Sequence, residues 1–323
     1  VKAKAVWFPA AGRAEFKTEN IPALGKGWCL LKTLYSSVSP GTERLVLNGR
    51  IPPQLYDSMV CPYMGGRFAF PVKYGYSLVG EVQEGPKSLL GREVHVLHPH
   101  QNYCAVRTAD VYPIPLTVPA ARAALASNLE TALNGIWDAR VMVGEKALVV
   151  GFGIVGSLTA RLLRLIPEVA VTVVDTYPTK AVLAEKMGFH VAEASRLPDD
   201  FDLTFHTSGS SEGLQTAIDH AAFEGRIVEM SWFGDKHSQL SLGGHVHSRR
   251  LQILSSQVSH LPSFMRKRWD IRRRKSLVFQ LLKNKIFDQH TTHSLSFSDL
   301  PDLYPKLAAG PSEGLNYLVR YDE

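Results

Sequence analysis

The chain has 323 residues, 45% of them hydrophobic and 20% charged, with a formal net charge of +6. That is enough chain for two domains with an ordinary core, and the balance excludes a disordered or fibrous protein. No apolar run is long enough to cross a bilayer, and three widely spaced cysteines, Cys29, Cys61 and Cys104, argue for a reducing compartment, by default the cytoplasm, rather than a disulfide framework.

Residues 1–115 read mostly as strands. Val1 to Glu19 alternates apolar and polar residues as a strand pair does, not as a secretory leader. Cys29 to Tyr35, Leu78 to Val82, Glu93 to Leu97 and Tyr103 to Val106 follow, with glycines and prolines between them, so a barrel-like all-β domain is expected. Arg50 to Tyr74 holds Pro52, Pro53, Pro62, Pro71, Gly65 and Gly66 and reads as a long irregular insertion, a kind of segment that is often functional.

At Val118 the pattern changes. Pro119 to Ala139 is alanine-rich with helical spacing. Strands at 147–150, 169–174, 202–206, 225–231 and 251–256 then alternate with helices at 155–166, 179–187 and 211–222, which predicts a doubly wound parallel sheet of the Rossmann kind in an α/β protein. Ser263 to Lys285 carries a helical stripe of Leu277, Val278, Leu281 and Leu282. A short strand (294–297), a short helix (300–307) and a closing strand (316–320) follow and are expected to rejoin the first domain.

The most informative stretch begins with the apolar run Ala147 to Val150. Gly151, Gly153 and Gly156 follow in G-x-G-x-x-G spacing, then a helical pattern, then a second apolar strand ending in Asp175. This layout is that of a dinucleotide-binding fold. Gly151 permits a tight turn, Gly153 lets backbone approach a pyrophosphate, and Gly156 lets helix and strand pack closely. The intervening Phe152, Ile154 and Val155 share the loop and first helical turn, whose free N–H groups and dipole suit an anion. Asp175 can accept hydrogen bonds from both ribose hydroxyls of an adenosine. It favours NAD, because a carboxylate repels a 2′-phosphate; nearby Lys180 softens that preference and keeps NADP open.

The basic run Arg266 to Lys275 admits a nucleic-acid reading, but a solvated helix face is the simpler one. Neither a nucleic-acid nor a membrane partner is expected. His95, His98, His100 and Cys104 fall within ten residues, and His245 and His247 form an H-x-H pair. Either group could bind a metal in principle; ordinary polar roles are the simpler reading, and His98 and His100 are candidates to line a substrate cleft.

The order of an N-terminal β domain, a central dinucleotide-binding domain and a C-terminal return resembles the medium-chain dehydrogenase/reductase superfamily over essentially the whole chain. Tyr35-Ser-Ser-Val-Ser-Pro-Gly-Thr-Glu43 is similar to the family's segment ending in Cys-Gly-Thr-Asp. Tyr74-Gly-Tyr-Ser-Leu-Val-Gly-Glu-Val82 is similar to its Gly-His-Glu-x-x-Gly-x-Val segment, and Ser127 to Ala132 to the segment with its third zinc ligand. Within the superfamily the chain is similar to proteins near bacteriochlorophyllide dehydrogenase. The resemblance implies a GroES-like domain of residues 1–131 and 287–323, a Rossmann domain of residues 132–286, and a homodimer paired through the cofactor-domain sheet, with Leu251 to Ser256 at the edge.

The departures bear on chemistry. Where the resemblance implies Cys, His and Cys around a catalytic zinc, this chain has Pro40, Tyr76 and Ser127, with Ser77 at the nearby glutamate position. These are poor zinc ligands, and three dispersed cysteines cannot form the four-cysteine structural site, so no zinc is expected. The expected activity is a zinc-independent, NAD(P)-dependent transfer of hydride between nicotinamide and a CH–OH/C=O substrate. Thr42 matches the family's proton-relay hydroxyl, Tyr76 could donate to a carbonyl oxygen or simply fill the zinc's volume, and Glu43 and Glu130 are candidates for base or orienter. Glu130 could instead pair with an arginine such as Arg140 or Arg249. On the cofactor side the resemblance adds Thr207-Ser208-Gly209, Phe233-Gly234 and Ser256, all at ends of parallel strands. Tyr56, Tyr63, Phe68, Phe70 and Arg67 of the insertion suit a bulky or ring-containing small-molecule substrate, or else a packed lid. Two other readings remain open: an NADPH-dependent quinone or enone reductase, and a redox-sensing protein that binds NAD(H) without turnover.

Overall fold

The computed structural model describes residues 1–322 and divides into two compact units, Val1–Ser127 with the segment from Lys275 onward, and Asn128–Arg274. In chain order the elements are β1 (Lys2–Trp7), β2 (Glu15–Asn20), β3 (Trp28–Val38), α1 (Pro40–Leu47), β4 (Gly65–Gly66), β5 (Val72–Lys73), β6 (Leu78–Glu84), β7 (Glu93–Val96), β8 (Tyr103–Arg107), β9 (Tyr112–Pro113) and α2 (Ala120–Ala123). The chain continues through α3 (Ala126–Ala139), β10 (Lys146–Val150), α4 (Ile154–Leu163), β11 (Ala170–Val174), α5 (Pro178–Lys186), β12 (His190–Val191), β13 (Phe201–His206), α6 (Ser211–Asp219), β14 (Ala221–Glu229) and β15 (Gln252–Ser255). It ends with α7 (Ile271–Leu281), β16 (His293–Ser296), α8 (Leu300–Ala309) and β17 (Tyr317–Arg320).

The first unit is built on β3. Its length lets it pair antiparallel with β6, with β8 and with the C-terminal β17, so the tail returns to this unit as the sequence suggests. The sheet runs β16-β17-β3-β6-β7-β9, and β1 and β2 form a separate hairpin. Cys29, Leu31, Leu78, Val82, Val94, Val96 and Val106 fill one buried cluster from alternate positions of these strands.

The second unit is a six-stranded, all-parallel sheet in the order β12-β11-β10-β13-β14-β15. Successive crossovers build outward from β10 in one direction through β11 and β12, then in the other from β13 onward. The sheet therefore has a switch point beside β10, and the carboxyl ends of its strands lie along one edge, where such sheets bind ligands. Leu148 and Val150 of β10 pack with Leu214, Ala217 and Ile218 of α6 and Ile227 of β14.

Several boundaries differ from expectation. Pro119 to Ala139 is two helices, α2 and α3. The helix predicted to reach residue 222 stops at Asp219, because Ala221 already pairs with Phe201 in the sheet. The stripe from Ser263 becomes helical only at Ile271, where the Asp270 carboxylate accepts the Arg273 N–H at 2.7 Å and caps the first turn.

Leu148 is fully buried at the centre of this core. Leu148→Ala is expected to destabilise the unit by about 2–5 kcal/mol, read as a lower midpoint in denaturant unfolding.

Candidate functional site

β10 delivers the chain to Gly151 at φ +99°, a backbone conformation that glycine adopts without strain. A Cβ there would also lie 2.7 Å from the nitrogen of Ser208, so the loops after β10 and β13 touch through backbone. Gly153 caps α4, and nothing stands within 4 Å of where its Cβ would be. That opening leaves the backbone approachable at the positive end of a ten-residue helix. A Cβ on Gly156 would meet the Gly151 carbonyl oxygen at 2.0 Å. Phe152 and Ile154 are buried, Phe152 against Phe189, so a ligand could use only their backbone; Val155 is half-buried.

Asp175 follows β11, and each of its carboxylate oxygens accepts a backbone N–H, from Phe152 at 2.6 Å and from Tyr177 at 2.8 Å. The side chain therefore fastens the glycine loop, and a carboxylate with about four acceptor sites keeps capacity for further donors. Lys180 of α5 is only 6% exposed. Burial pushes its amine down to about 8, against the opposing pull of the Asp175 charge.

After β13, the Thr207 hydroxyl donates to the Gly151 carbonyl at 2.7 Å, Ser208 is exposed, and Gly209 turns at φ +65°. His206, the last residue of β13, is fully buried. Its Nδ1 lies 2.6 Å from Glu229 Oε2 at the end of β14, and its Nε2 lies 2.7 Å from Ser208 Oγ. The Phe233 ring packs 5.8 Å from the imidazole and Gly234 turns at φ +67°. Ser256 donates to Asp138 at 2.6 Å. The His206–Glu229 pair is absent from the sequence expectations. The available signal was a titratable residue closing each of two parallel strands.

In the first unit, Glu43 of α1 is fully buried. One oxygen accepts the Ser39 N–H at 2.8 Å; the other accepts the Tyr304 hydroxyl at 2.6 Å and lies 3.1 Å from His100 Nε2. His100 Nδ1 continues to Ser36 Oγ at 2.7 Å, and Ser36 to the Tyr321 hydroxyl at 3.0 Å. Both oxygens of Glu43 are thus engaged, an arrangement that suits the orienting one of its two expected roles. Ser36, Ser39, Tyr304 and Tyr321 were not foreseen, because they come from four different elements.

Tyr76 is half-buried, with the Ser39 and Thr42 side chains close to its phenol. Burial and the Glu43 charge hold its proton more tightly than usual, against the opposing effect of those two hydroxyls. Thr42 and Tyr76 are therefore brought together as expected. Glu130 lies in the second unit, buried in an ion pair with Arg274 at 3.3 Å. It pairs with an arginine, and the partner is neither Arg140, which lies over the Phe264 ring, nor Arg249, which binds Asp199. Arg274 and Lys275 are both buried, so the basic run is not simply a solvated face.

The positions that the resemblance assigns to zinc ligation hold other contacts. Ser127 donates to the Tyr76 carbonyl at 2.8 Å and Ser77 to the Ala124 carbonyl at 2.7 Å. Both hydroxyls reach His95 Nε2, at 3.3 and 3.1 Å, while the Lys275 amine lies 3.4 Å from its Nδ1. Burial and the Lys275 charge depress the His95 pKa. His98 is pushed down to about 3 by burial and stacks on Tyr63; burial pushes Cys104 up to about 12. Among the described residues, no three His, Cys, Asp or Glu side chains gather as a metal site. Pro40, Tyr76 and Ser127 do not fit a zinc ion, since none is an anionic or imidazole donor. Within the insertion, Phe68 is buried between Tyr56 and Tyr74, and Tyr74 meets Tyr76 edge-on, with ring centroids about 6 Å apart at each step. Phe68 and Tyr63 are packing residues; Tyr56 and Phe70 are half-buried and Arg67 is exposed.

Two measurements check this geometry. Gly156→Ala places a methyl against backbone and is expected to cost 3 kcal/mol or more, seen in denaturant unfolding. Lys180 holds fewer protons when folded than when unfolded between pH 8 and its ordinary value near 10.5. Its burial therefore costs stability below pH 8, and that cost is relieved as pH rises through the window. Relative to Lys180→Met, the native chain is expected to gain on the order of 2–3 kcal/mol from pH 8 to 10.5.

No family model matches the chain. A D-guloside 3-dehydrogenase of Escherichia coli is 24% identical over 204 residues, covering 59% of this chain and 56% of the relative, so the match spans about half of that protein. The solved structure of 2R,3R-butanediol dehydrogenase from Bacillus subtilis superposes with a TM-score of 0.79 at 18% identity, covering 99% of this chain and all of the other. Acetophenone reductase from Geotrichum candidum, solved in complex with NAD, gives 0.78 at 18% identity, covering 99% of this chain and 97% of the other. Together with the topology, these likenesses establish the fold, an α/β architecture with a parallel Rossmann-like sheet and a GroES-like unit that those solved dehydrogenase and reductase structures share.

Proposed function

We propose that the chain is a nicotinamide-dinucleotide-dependent oxidoreductase that works without zinc on a CH–OH/C=O pair, in a substrate larger than a simple aliphatic alcohol. The observation that carries this reading is the cradle at the end of β10, with an approachable backbone at Gly153, a helix N-terminus behind it and Asp175 on the neighbouring strand. The similarity to a guloside dehydrogenase and the NAD-bound reductase supports it. Gly151 to Gly156 would hold the pyrophosphate, Asp175 the adenosine ribose, and the loops carrying Thr207 to Gly209, Phe233-Gly234 and Ser256 the remainder. When bound, the nicotinamide accepts or supplies the hydride.

The chain's own task is the proton. Tyr76 remains protonated under ordinary conditions and is a donor suited to a carbonyl oxygen, while the nearby Ser39 and Thr42 provide hydroxyls through which the proton can be replaced. Glu43, held by Ser39, Tyr304 and His100, braces the start of α1 and adds negative charge that keeps that proton on the phenol. The half-buried rings of Tyr56 and Tyr76, at the two ends of the aromatic series, support a ring-containing substrate. A second reading, an NADPH-dependent quinone or enone reductase, is favoured by one feature, the Lys180 amine beside Asp175. We also propose a homodimer through β15, an edge strand of the parallel sheet with Ile253 42% exposed.

Metal-free protein titrated with NADH and NADPH, followed by nicotinamide fluorescence, is expected to bind NADH the more tightly. A preference for NADPH transfers the weight to the reductase reading, and binding of neither overturns both. Tyr76→Phe is expected to lower kcat by roughly 10²–10⁴-fold with the NADH Kd unchanged. A monomer by light scattering overturns the dimer.

A further inference from the structure

Ser208 is an exposed hydroxyl whose direction is set from inside the protein. Glu229 Oε1 accepts the Ser231 N–H at 2.6 Å and Oε2 faces His206 Nδ1 at 2.6 Å. A carboxylate can only accept, so Nδ1 carries the proton, and in a neutral ring Nε2 is then an acceptor. Its partner at 2.7 Å is Ser208 Oγ, which must spend its single proton on the imidazole. Its other neighbours, Ser210 N at 3.3 Å and Ser210 Oγ at 3.2 Å, are long contacts, so the oxygen keeps capacity for a closer donor. The arrangement also excludes substitutes around it. A Cβ at Gly213 would lie 2.2 Å from Ser208 Oγ and 3.1 Å from His206 Nε2, and a Cβ at Gly151 would meet the Ser208 backbone.

We propose that Glu229 and His206 are positioning residues that make Ser208 an obligate hydrogen-bond acceptor for a ribose hydroxyl of the bound dinucleotide. This rests on the dinucleotide reading above and adds a chemical selection to it. Ser208 packs on Gly151, in the loop that would carry the pyrophosphate, and the groups flanking a pyrophosphate on either side are riboses. A ribose hydroxyl donates to such an oxygen. A phosphate oxygen, which only accepts, gains nothing from it. A serine free to rotate would serve either; the buried dyad removes that choice.

The dyad makes a distinctive variant. Glutamine at 229 has one oxygen. If that oxygen stays with the Ser231 N–H, which needs an acceptor, the amide NH₂ faces Nδ1 and drives the ring proton to Nε2. Ser208 then accepts from the ring and points its own proton outward, so the size of the residue is kept and the polarity is reversed. Nitrogen-15 NMR of the native protein is expected to show His206 protonated on Nδ1, and Glu229→Gln to show it on Nε2. In fluorescence titrations with NADH, Ser208→Ala is expected to weaken binding roughly five- to tenfold, the effect of one neutral hydrogen bond. Glu229→Gln is expected to weaken it at least as much. A native His206 protonated on Nε2, or NADH binding by Ser208→Ala equal to the native protein's, overturns the proposal while leaving the cofactor reading intact. Absence of NADH and NADPH binding by the native protein overturns the cofactor reading and this inference with it.

Discussion

The cofactor unit depends on one close approach, that of the backbone after β10 to the backbone after β13. No side chain fits between Gly151 and Ser208, or between Gly156 and the Gly151 carbonyl. The contact is then fastened by hydrogen bonds, since Thr207 donates to Gly151 and Asp175 accepts from Phe152. The order of strands follows from the same point, because β10 has β11 on one side and β13 on the other, and only there do two loops at the carboxyl edge diverge. The glycines are thus structural requirements first. The open backbone at Gly153 is what remains after the packing demands of Gly151 and Gly156 are met.

The first unit solves a different problem, a carboxylate with no exposure to water. Burying a charge is costly unless its acceptor sites are filled. Glu43 meets that requirement with a backbone amide, a phenol and an imidazole. The donors come from segments far apart in the chain, including α8, so the C-terminal segment contributes Tyr304 as well as the strand that pairs with β3. The negative charge so retained acts on Tyr76, whose proton is held more firmly for it.

Most of the architecture was legible because parallel strands buried on both faces are continuous apolar runs, and the glycine spacing marks the turn between the first of them and its helix. The short elements were not legible. The two residues of β12 carry no periodicity, and the start of α7 was hidden because its cap, Asp270, lies within a run of basic residues. At the site, Thr42 and Tyr76 could be placed by their local motifs. Glu130 could not, since a glutamate in an apolar helix reads the same whether its partner is a substrate or Arg274. The His206–Glu229 pair depends on the lateral order of β13 and β14, which sequence alternation does not specify.

The positions that the family resemblance assigns to zinc ligation hold neutral groups in this chain. Ser77 and Ser127 supply hydroxyls to a neutral His95, and the next group outward is the ammonium of Lys275. A divalent cation placed beside that ammonium, at about 5 Å and an effective dielectric of about 20, would be repelled by several kcal/mol. Thiolates would offset such a repulsion; hydroxyls do not. With Tyr76 held neutral nearby in the chain, the groups of this region offer hydrogen bonds in place of anionic donors. Under the proposed reading, polarisation of a substrate oxygen would fall to the Tyr76 phenolic proton, a weaker agent than a metal and one whose effect would depend on how its neighbours Ser39 and Thr42 set its position.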